Sequence, residues 1–429
     1  MASPDVKPAN ASTEELPISW YSWVVAVLCL LSYAVSFVSR NVWSTALPVA
    51  APSLGLSMTA AGGLMTAFYI GYVVSNFVTG PFIDKFGPRK VLAAASLVTG
   101  LFTLLIPLFP NYAMIFLLRI GAGIGSGPLF AGGVKFQLAW FPKKARATAM
   151  GLVMTGPSVG GAFASGILAP VIRTAGWQTA FTYGGIICLV VAVLTFLFAK
   201  ERGAALVTKK PAASTSDAPA PKKQGLSAAK DVILNRSFLI GTIACFLSIG
   251  AGQGFTTWIL VYLSQGRGFD LVAAGSIVAA SQVVQMAGPT LSGIVSDFLK
   301  RRKPVCYIGS VGIAAVMISL AVFSDTGILW GVMLFRGLIG SFMGNNLNTL
   351  QAESAAGPHA GTAMGFYNGV AQLGSVIFPL GLGIVLDLTG NNYFIVWMTI
   401  AATYLLCGIL ISFMTEKKAE VAQPKSVTA

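Results

Sequence analysis

Apolar stretches about as long as a lipid bilayer is thick recur along the whole chain, and short polar breaks separate them. A helix needs about 20 apolar residues to cross a bilayer, where its backbone must satisfy its own hydrogen bonds. The pattern predicts an all-α polytopic membrane protein with twelve transmembrane helices. The predicted spans lie near residues 20–50, 58–83, 90–109, 112–138, 147–170, 178–199, 236–264, 270–296, 304–323, 328–351, 358–385 and 391–414.

Composition and charge agree with this class. Of the 429 residues, 55% are hydrophobic and 10% are charged, which is too apolar for a soluble protein. In a soluble protein, a net charge of +14 would suggest a nucleic-acid partner. In this chain the meaning of the charge depends on which side of the membrane the basic residues lie. If both termini are cytoplasmic, 22 of the 28 Lys and Arg residues fall in cytoplasmic segments and four fall within spans. Only Arg173 and Arg267 then fall in segments on the outer side of the membrane. We therefore expect this orientation, a bacterial inner membrane and no nucleic-acid partner.

Other site classes find little support in the sequence. The five cysteines all fall in predicted spans without metal-ligand spacing, which predicts packing roles rather than disulfides or a metal site. The spans contain no nucleophile–base pair and no cluster of His, Cys, Asp and Glu. We therefore expect no enzyme activity, no cofactor and no bound metal.

The chain divides at residues 201–235, which are rich in Lys, Pro, Ala and Ser and predict a flexible cytosolic linker. Residues 1–19 are polar, lack a signal-peptide pattern and predict a cytosolic tail. The expected organisation is a six-helix bundle over 20–200, the basic linker, a second six-helix bundle over 236–415 and a cytosolic tail over 416–429.

The two groups of spans carry matching landmarks. Residues 80–90 read GPFIDKFGPRK, and residues 293–303 repeat the Gly, the Asp and the basic turn as GIVSDFLKRRK. Asp297 lies 213 residues after Asp84, and Arg336 lies 217 residues after Arg119. Two landmarks with nearly the same offset predict an internal duplication.

Cations without an acidic neighbour in sequence are the best clue to the cargo. They are Arg40, Arg119, Lys135 and Arg336. A guanidinium at the centre of a spanning helix costs about 2.5–3.5 kcal/mol on insertion scales, so it usually faces a wet cavity or binds an anion. We expect Arg40 to bind an anion, with bonding to helix carbonyls as the alternative. Arg336 is expected to be structural and Lys135 to extend to the interface.

The motif in residues 80–90 resembles the major facilitator superfamily motif G-x3-D-[RK]-x-G-x-[RK]-[RK]. The resemblance covers residues 20–415 and implies two six-helix bundles around a central cavity, with alternating access by rocking of the bundles. Gly80, Asp84 and Arg89 are then candidates for a cytoplasmic gate, with Asp297 as a weaker copy. The alternative is a basic turn that sets topology without switching.

Further stretches resemble the anion:cation symporter group of organic-anion carriers. They are Tyr72-x3-Asn76-x3-Gly80-x3-Asp84, Trp140-Phe141-Pro142-x3-Arg146-Ala147, Trp258-x3-Tyr262, and Gly361-Thr362-Ala363 with Pro379 and Gly383. By this resemblance Arg40 and Arg119 occupy the positions of the group's substrate-facing arginines. For Arg119, a structural tie between span four and its neighbours is an equal alternative.

Polar residues inside the spans complete the predicted substrate site, although each is as well suited to bonding between helices. The predicted substrate-binding residues are Arg40, Arg119, Tyr72, Ser126, Trp258, Gln282, Asn346, Asn368 and Gln372. Others considered were Tyr33, Tyr69, Gln253, Gln285, Asn345 and Asn348.

One departure from the resembled group concerns coupling. The group carries carboxylates just before the first-span arginine and seven residues after the span-four arginine, whereas this chain has Ser39 and Ser126. A serine does not titrate near neutral pH, which argues against the usual proton symport. We expect a monomer that takes up a small carboxylate or sulfonate by alternating access, with a proton or sodium as candidate coupling ion. The alternative is anion exchange or export of a metabolite or drug.

Overall fold

Helices form all the regular structure in the part of the chain that the computed structural model describes, residues 19–200, 230–355 and 360–416. The first helices are α1 (Trp20–Ser53), α2 (Met58–Phe86), α3 (Pro88–Leu105), α4 (Tyr112–Trp140), α5 (Lys143–Met154), α6 (Gly156–Ala162) and α7 (Leu168–Phe198). The later helices are α8 (Lys230–Ile233), α9 (Arg236–Val261), α10 (Leu271–Gln285), α11 (Gly288–Leu299), α12 (Lys303–Val322), α13 (Thr326–Ser354), α14 (Ala360–Leu388) and α15 (Tyr393–Ser412). Residues 19–200 are called the first half below, and residues 230–416 the second half.

The described structure contains the long apolar helices that the predicted fold class requires. Ten helical segments of the described chain are long and apolar enough, or eleven when α10 and α11, bent by 41°, form one span. The longest segment, Lys144–Phe198, breaks at Gly176, whose φ of 84° is readily adopted only by glycine. The break lies between predicted spans five and six. The all-α polytopic fold is therefore confirmed, and these segments accommodate the twelve predicted spans.

Polar residues at the helix starts fix where the helices begin. The side chain of Asn111 accepts a hydrogen bond from Met114 N at 2.9 Å, and Asp325 accepts one from Ile328 N at 3.0 Å. Such side chains satisfy backbone N–H groups that the first helical turn leaves free. The same kind of cap stands at Ser57, Asn235, Asp270 and Asn392.

Contacts between helix termini define two ends of the molecule. At one end the Tyr21 hydroxyl donates to the Phe198 carbonyl, and Arg302 N donates to Glu416 at 2.5 Å. We call this the tail end, because the described chain starts and stops there. At the opposite end, the far end, Trp177 Nε1 donates to Ser53 Oγ at 3.0 Å.

Glycines let the helices of the first half approach closely. A side chain at Gly71 of α2 would collide with the backbone of Ile120 in α4, and one at Gly123 would collide with the backbone of Phe68. Small residues allow this approach of helix backbones in membranes. The two helices that carry Tyr69, Tyr72 and Arg119 are thereby held in a fixed relation.

The predicted tails and linker fall largely outside the described residues, which omit 1–18, 201–229 and 417–429. Within the described part of the predicted linker, Lys230–Ile233 form the short helix α8. Ile233 is 7% exposed and packs into the hydrophobic core, which explains why these residues are ordered as a helix.

Candidate substrate-binding site

The side chain of Arg40 lies among aromatic rings near the middle of α1. Its Cζ is 4.2 Å from the ring centroid of Phe37, 5.0 Å from those of Tyr69 and Tyr72 and 5.4 Å from that of Phe68. The residue is 5% exposed. Aromatic faces attract a cation through the ring quadrupole, so this cage holds the guanidinium without neutralising it.

Two donors of the Arg40 guanidinium have no acceptor. The Nε and Nη2 atoms are buried and make no hydrogen bond within the described chain, and no carboxylate of that chain forms an ion pair with them. Burying an unpaired charge costs several kcal/mol, so such an arrangement is usually completed by a ligand. The predicted alternative was bonding of Arg40 to carbonyls at an irregular helix end, and these two donors make no such bond within the described chain.

Arg119 is buried in a different way. Its Nη1 donates to the Ser39 carbonyl at 2.9 Å, its Nη2 contacts the Arg40 carbonyl at 3.4 Å, and its Nε donates to the Leu64 carbonyl at 3.2 Å. The Nη2 also lies 3.2 Å from Met65 Sδ. The guanidinium therefore ties α4 to α1 and α2 beside Arg40, and its donors point at protein atoms.

A cavity of about 270 Å³ lies between the two halves next to Arg40. Phe37, which lies against the Arg40 guanidinium, and Asn41 line it from α1, while Arg336 lines it from α13. The full lining comprises Phe37, Asn41, Pro157, Ser248, Ile249, Gly252, Gln253, Thr256, Gln282, Gln285, Arg336, Gly340, Gly344 and Tyr404. Its volume is near the lower limit of ligand pockets, about 300 Å³, and suits a small molecule.

In the described structure, Gln282 is the one predicted substrate-binding residue that lines this cavity, whereas Tyr72 and Ser126 do not line it. Tyr72 belongs to the aromatic cage of Arg40. The Tyr69 hydroxyl donates to Gln253 Oε1, which joins the halves beside the cavity. Ser126 is buried, and its hydroxyl has no hydrogen-bond partner within the described chain.

Other predicted site residues bond between helices. Trp258 is fully buried, and its Nε1 donates to the Pro379 carbonyl at 3.2 Å. Asn346 Nδ2 donates to Ser292 Oγ at 2.8 Å and joins α13 to α11. These contacts match the alternative in which polar residues hold helices together.

Asn368 and Gln372 face a second opening. Together with Asn76 and Phe77 they line a cleft of about 620 Å³ between α2 and α14. The cleft lies on the tail-end side of Thr66, whose hydroxyl donates to the Val376 carbonyl at 2.6 Å across the halves. Asn368 and Gln372 are therefore separated from the cavity that Gln282 and Arg336 line.

The predicted gate residues at the tail end contact their own half. Asp84 forms an ion pair with Lys135 of α4, which has no acidic neighbour in sequence and was expected to extend to the interface. The Nε and Nη2 atoms of Arg89 donate to the Phe196 carbonyl at 3.2 and 2.5 Å. Asp297 is exposed, and a side chain at Gly80 would meet open space.

Hydrogen bonds between the halves concentrate at the far end of the described structure. The carboxylate of Asp387 in α14 accepts from Met58 N at 2.9 Å and Thr59 N at 2.8 Å, at the first turn of α2. Gln265 Nε2 donates to the Pro48 carbonyl at 2.9 Å, which has no helical partner because Pro52 lacks an N–H. Both contacts close the far end.

An ion pair adds to the far-end closure. Arg173 Nη1 lies 2.7 Å from Asp270 Oδ2, and both side chains are about half exposed. Exposed pairs contribute little energy individually, about 0–1 kcal/mol, so the buried packing of α2 against α14 matters more here. Gly62 contributes to that packing, because a side chain there would collide with the Pro379 backbone.

The sequence model of the Major Facilitator Superfamily matches residues 29–379 of the chain. The chain belongs to the Major Facilitator Superfamily. It is therefore a transporter and not an enzyme, and the resemblance seen in the sequence is confirmed. Among solved structures, this superfamily member is similar to a bacterial homologue of the human lysosomal transporter Spinster in an inward-facing, unoccupied conformation, with a TM-score of 0.73, 14% identity, and 92% of this chain and 95% of that one covered.

Two relatives of this superfamily member have named cargoes. It is 26% identical over 416 residues to the hexuronate transporter of Bacillus subtilis strain 168, with 94% of this chain and 93% of the relative covered. It is also 26% identical over 381 residues to the probable sulfoacetate transporter SauU of Cupriavidus necator, with 86% and 88% covered.

Most of the residues that line the cavity of this superfamily member were outside the predicted set, among them Phe37, Asn41 and Arg336. Asn41 is polar, follows Arg40 directly and lies one helical turn after Phe37, a spacing that places both on one face of α1. That spacing was a usable signal. Arg336 was noted but expected to be structural, because its helical face is not evident from a single sequence.

Proposed function

We propose that the protein carries a small organic anion, a carboxylate or a sulfonate, across the membrane by alternating access. The observation that supports this most directly is the buried Arg40 guanidinium, which has aromatic rings around it and two unpartnered donors. Carboxylate and sulfonate oxygens match the planar fork of guanidinium donors. Arg40 is then the counter-charge of the cargo.

Arg119 positions this counter-charge in the proposed mechanism. Its bonds to the carbonyls of Ser39 and Arg40 hold the backbone of α1 at the point from which the Arg40 side chain departs. Its own positive charge also adds to the field that an anion would experience. The relatives' cargoes, a hexuronate and sulfoacetate, are organic acid anions and support the same class.

The tail end faces the cytoplasm in this proposal, because most Lys and Arg residues of the chain belong to segments at that end. The far-end contacts of Asp387 and Gln265 then close the outer side of the cavity. A second state would break these contacts and bring Asp84 of α2 into contact with the second half. We propose uptake as the direction of transport.

Exchange of one anion for another is the second candidate. Ser39 and Ser126 stand where the resembled group has carboxylates, and the Ser39 hydroxyl is 2.6 Å from that of Thr103. A proton carrier needs a titratable group that changes partner during the cycle, and neither serine provides one. Exchange needs no such group, since one anion replaces another on Arg40.

The test is ligand-induced thermal stabilisation of the purified protein. The panel contains a hexuronate, sulfoacetate, small dicarboxylates, neutral sugars and organic cations. Arg40→Gln is compared with Arg236→Gln, which removes one positive charge from an exposed position at the tail end. We expect an anion to stabilise the wild type and Arg236→Gln but not Arg40→Gln. Equal stabilisation of all three by a sugar or a cation would overturn the proposal.

A further inference from the structure

A second arginine presents free donors to the central cavity from the opposite half of the molecule. The Cζ of Arg336 lies 4.3 Å from the ring centroid of Phe255. Its one side-chain hydrogen bond within the described chain runs from Nη1 to Gln285 Oε1 at 3.3 Å. A strong N–H···O bond is about 2.7–3.2 Å long, so this one is weak. Most donors of this guanidinium therefore remain available to a ligand.

The surroundings of Arg336 contain no compensating charge. None of the ion pairs of the described residues includes Arg336. On its own helix, the nearest carboxylates are Asp325 and Glu353, 11 and 17 residues away, which correspond to about 16 and 25 Å of helix. Arg336 is thus an uncompensated cation in the membrane interior, as Arg40 is.

The two uncompensated arginines belong to different halves and to one site. Phe37 connects them: its ring lies 4.2 Å from the Arg40 guanidinium, and it lines the same cavity as Arg336. Neither Arg40 nor Arg119 lines the cavity itself: Arg40 lies behind Phe37 with two donors unpartnered within the described chain, whereas Arg119 directs its donors at carbonyls. The cavity therefore has an uncompensated cation in its wall, Arg336 from α13, and a second, Arg40 from α1, directly behind the wall residue Phe37.

We propose that the cargo is a dianion, whose first acidic group binds Arg40 and whose second acidic group binds Arg336. This inference rests on the proposed function and narrows its substrate class to small dicarboxylates and sulfocarboxylates. A dianion compensates both charges, whereas a monoanion leaves one guanidinium unpaired in a site of low dielectric. Gln282 and Gln285, one turn apart on α10, are placed to bond neutral groups between the two acids.

A bridging dianion also links binding to the conformational change. A ligand held by α1 and α13 contacts both halves at once, so it favours the state in which they approach around it. A monoanion that binds Arg40 forms a charged contact with the first half only and none with the second half. The dianion is therefore expected to be transported faster as well as bound more tightly.

The experiment compares acids that differ by one charge. Dissociation constants are measured by calorimetry for saturated dicarboxylates of two to six carbons and for sulfoacetate, each beside its monoamide, and for glucuronate as a monoanion. The proteins are the wild type, Arg336→Gln, Arg336→Lys and the surface control Arg236→Gln. Binding of a monoamide by Arg336→Gln shows that this variant is folded. If Arg336→Gln does not fold, Arg336→Lys tests the same position while it keeps the positive charge.

We expect the wild type to bind at least one dianion with a dissociation constant about 30-fold or more below that for the monoamide of the same acid. Arg336→Gln should bring the two affinities together by weakening the dianion alone, and Arg336→Lys should retain part of the preference. Equal wild-type affinity for glucuronate or a monoamide and for the best dianion would overturn the inference, as would equal weakening of both acids in Arg336→Gln. Either outcome leaves an Arg40-dependent anion carrier standing, whereas absence of any anion binding by the wild type would overturn both proposals.

Discussion

At the residue scale, Arg40 and Arg119 show how one side-chain type serves two purposes within a few ångströms. Both are buried, but Arg119 directs its donors at carbonyls of α1 and α2, whereas two donors of Arg40 have no acceptor. The aromatic contacts of Arg40 contribute about 0.5–2 kcal/mol each. The cost of desolvating an unpaired ion is several kcal/mol, which offsets much of that gain. This balance is consistent with the proposal that Arg40 serves ligand binding rather than stability.

This difference predicts opposite effects on stability. Arg119→Gln should lower the melting temperature, because hydrogen bonds to charged groups contribute about 1.5–3 kcal/mol and the shorter side chain loses most of them. Arg40→Gln should leave the melting temperature unchanged or raise it, since it removes an uncompensated charge. Thermal unfolding in the absence of ligand measures both. A large loss of stability in Arg40→Gln with none in Arg119→Gln would contradict these assignments.

The sequence supports Arg40 as a candidate because a lone cation in an apolar run stands out without any structure. It does not distinguish Arg40 from Arg119, since both are cations in spans and their neighbours come from other helices. The same limit applies to Asn346 and Trp258, which were expected in the site and bond between helices. The orientation of each helix about its own axis determines which residues face the cavity. A spanning helix that is apolar on all sides has no polar face from which this orientation can be inferred.

At the scale of elements, α2 contacts the second half at its far end and its own half at its tail end. At the far end, the N–H groups of Met58 and Thr59 receive the Asp387 carboxylate, a favourable position for an anion at a helix N-terminus. At the tail end, Asp84 pairs with Lys135 of its own half. One end is thus closed between α2 and α14, while the acid at the other end is held within the first half.

The far-end contact predicts a conformational effect of Asp387→Ala. Loss of the carboxylate should raise the population in which the far end is open, because two backbone donors lose their acceptor across the halves. Spin labels at Thr174→Cys and Thr326→Cys, exposed far-end positions on opposite halves, report the opening as a longer distance by pulsed electron paramagnetic resonance.

The matched control for that experiment is Asn392→Ala. It removes a helix cap at the same end, but one that acts within the second half. A distance distribution that responds to Asn392→Ala and not to Asp387→Ala would show that the α2–α14 contact does not hold the far end closed.

The sequence predicted the helices well and their contacts poorly. Spans follow from bilayer thickness and chain composition, which a single sequence contains. Asp387 was not singled out, because its partner is the first turn of a helix more than 300 residues earlier. The motif around Asp84 was recognisable, but its pairing with Lys135, 51 residues later on another helix, was not predicted.

At the scale of the whole molecule, charge is separated between centre and ends. The carboxylates of the described residues lie in loops or near helix ends, whereas Arg40, Arg119 and Arg336 lie within the membrane interior. The interior is therefore electropositive, which favours an anionic cargo over a cationic one. It also lacks the carboxylate that a proton symporter of the resembled group uses.

This arrangement predicts transport that does not require a proton gradient. In liposomes preloaded with unlabelled substrate, counterflow of labelled anion should continue at an unchanged rate when a protonophore is added. The reason is that aromatic side chains pack against Arg40 and no carboxylate of the described residues forms an ion pair with it. A rate that collapses with the protonophore and recovers with an imposed pH gradient would show proton coupling by another route.

In the proposed mechanism, Arg40 binds the transported anion. The most direct measurement is counterflow of a radiolabelled anion, chosen as the best stabiliser from the thermal panel, in proteoliposomes containing wild type, Arg40→Gln, Arg40→Lys or Arg236→Gln. The account predicts robust counterflow for the wild type and Arg236→Gln, reduced counterflow for Arg40→Lys and none above background for Arg40→Gln. Counterflow by Arg40→Gln at the wild-type rate would contradict it.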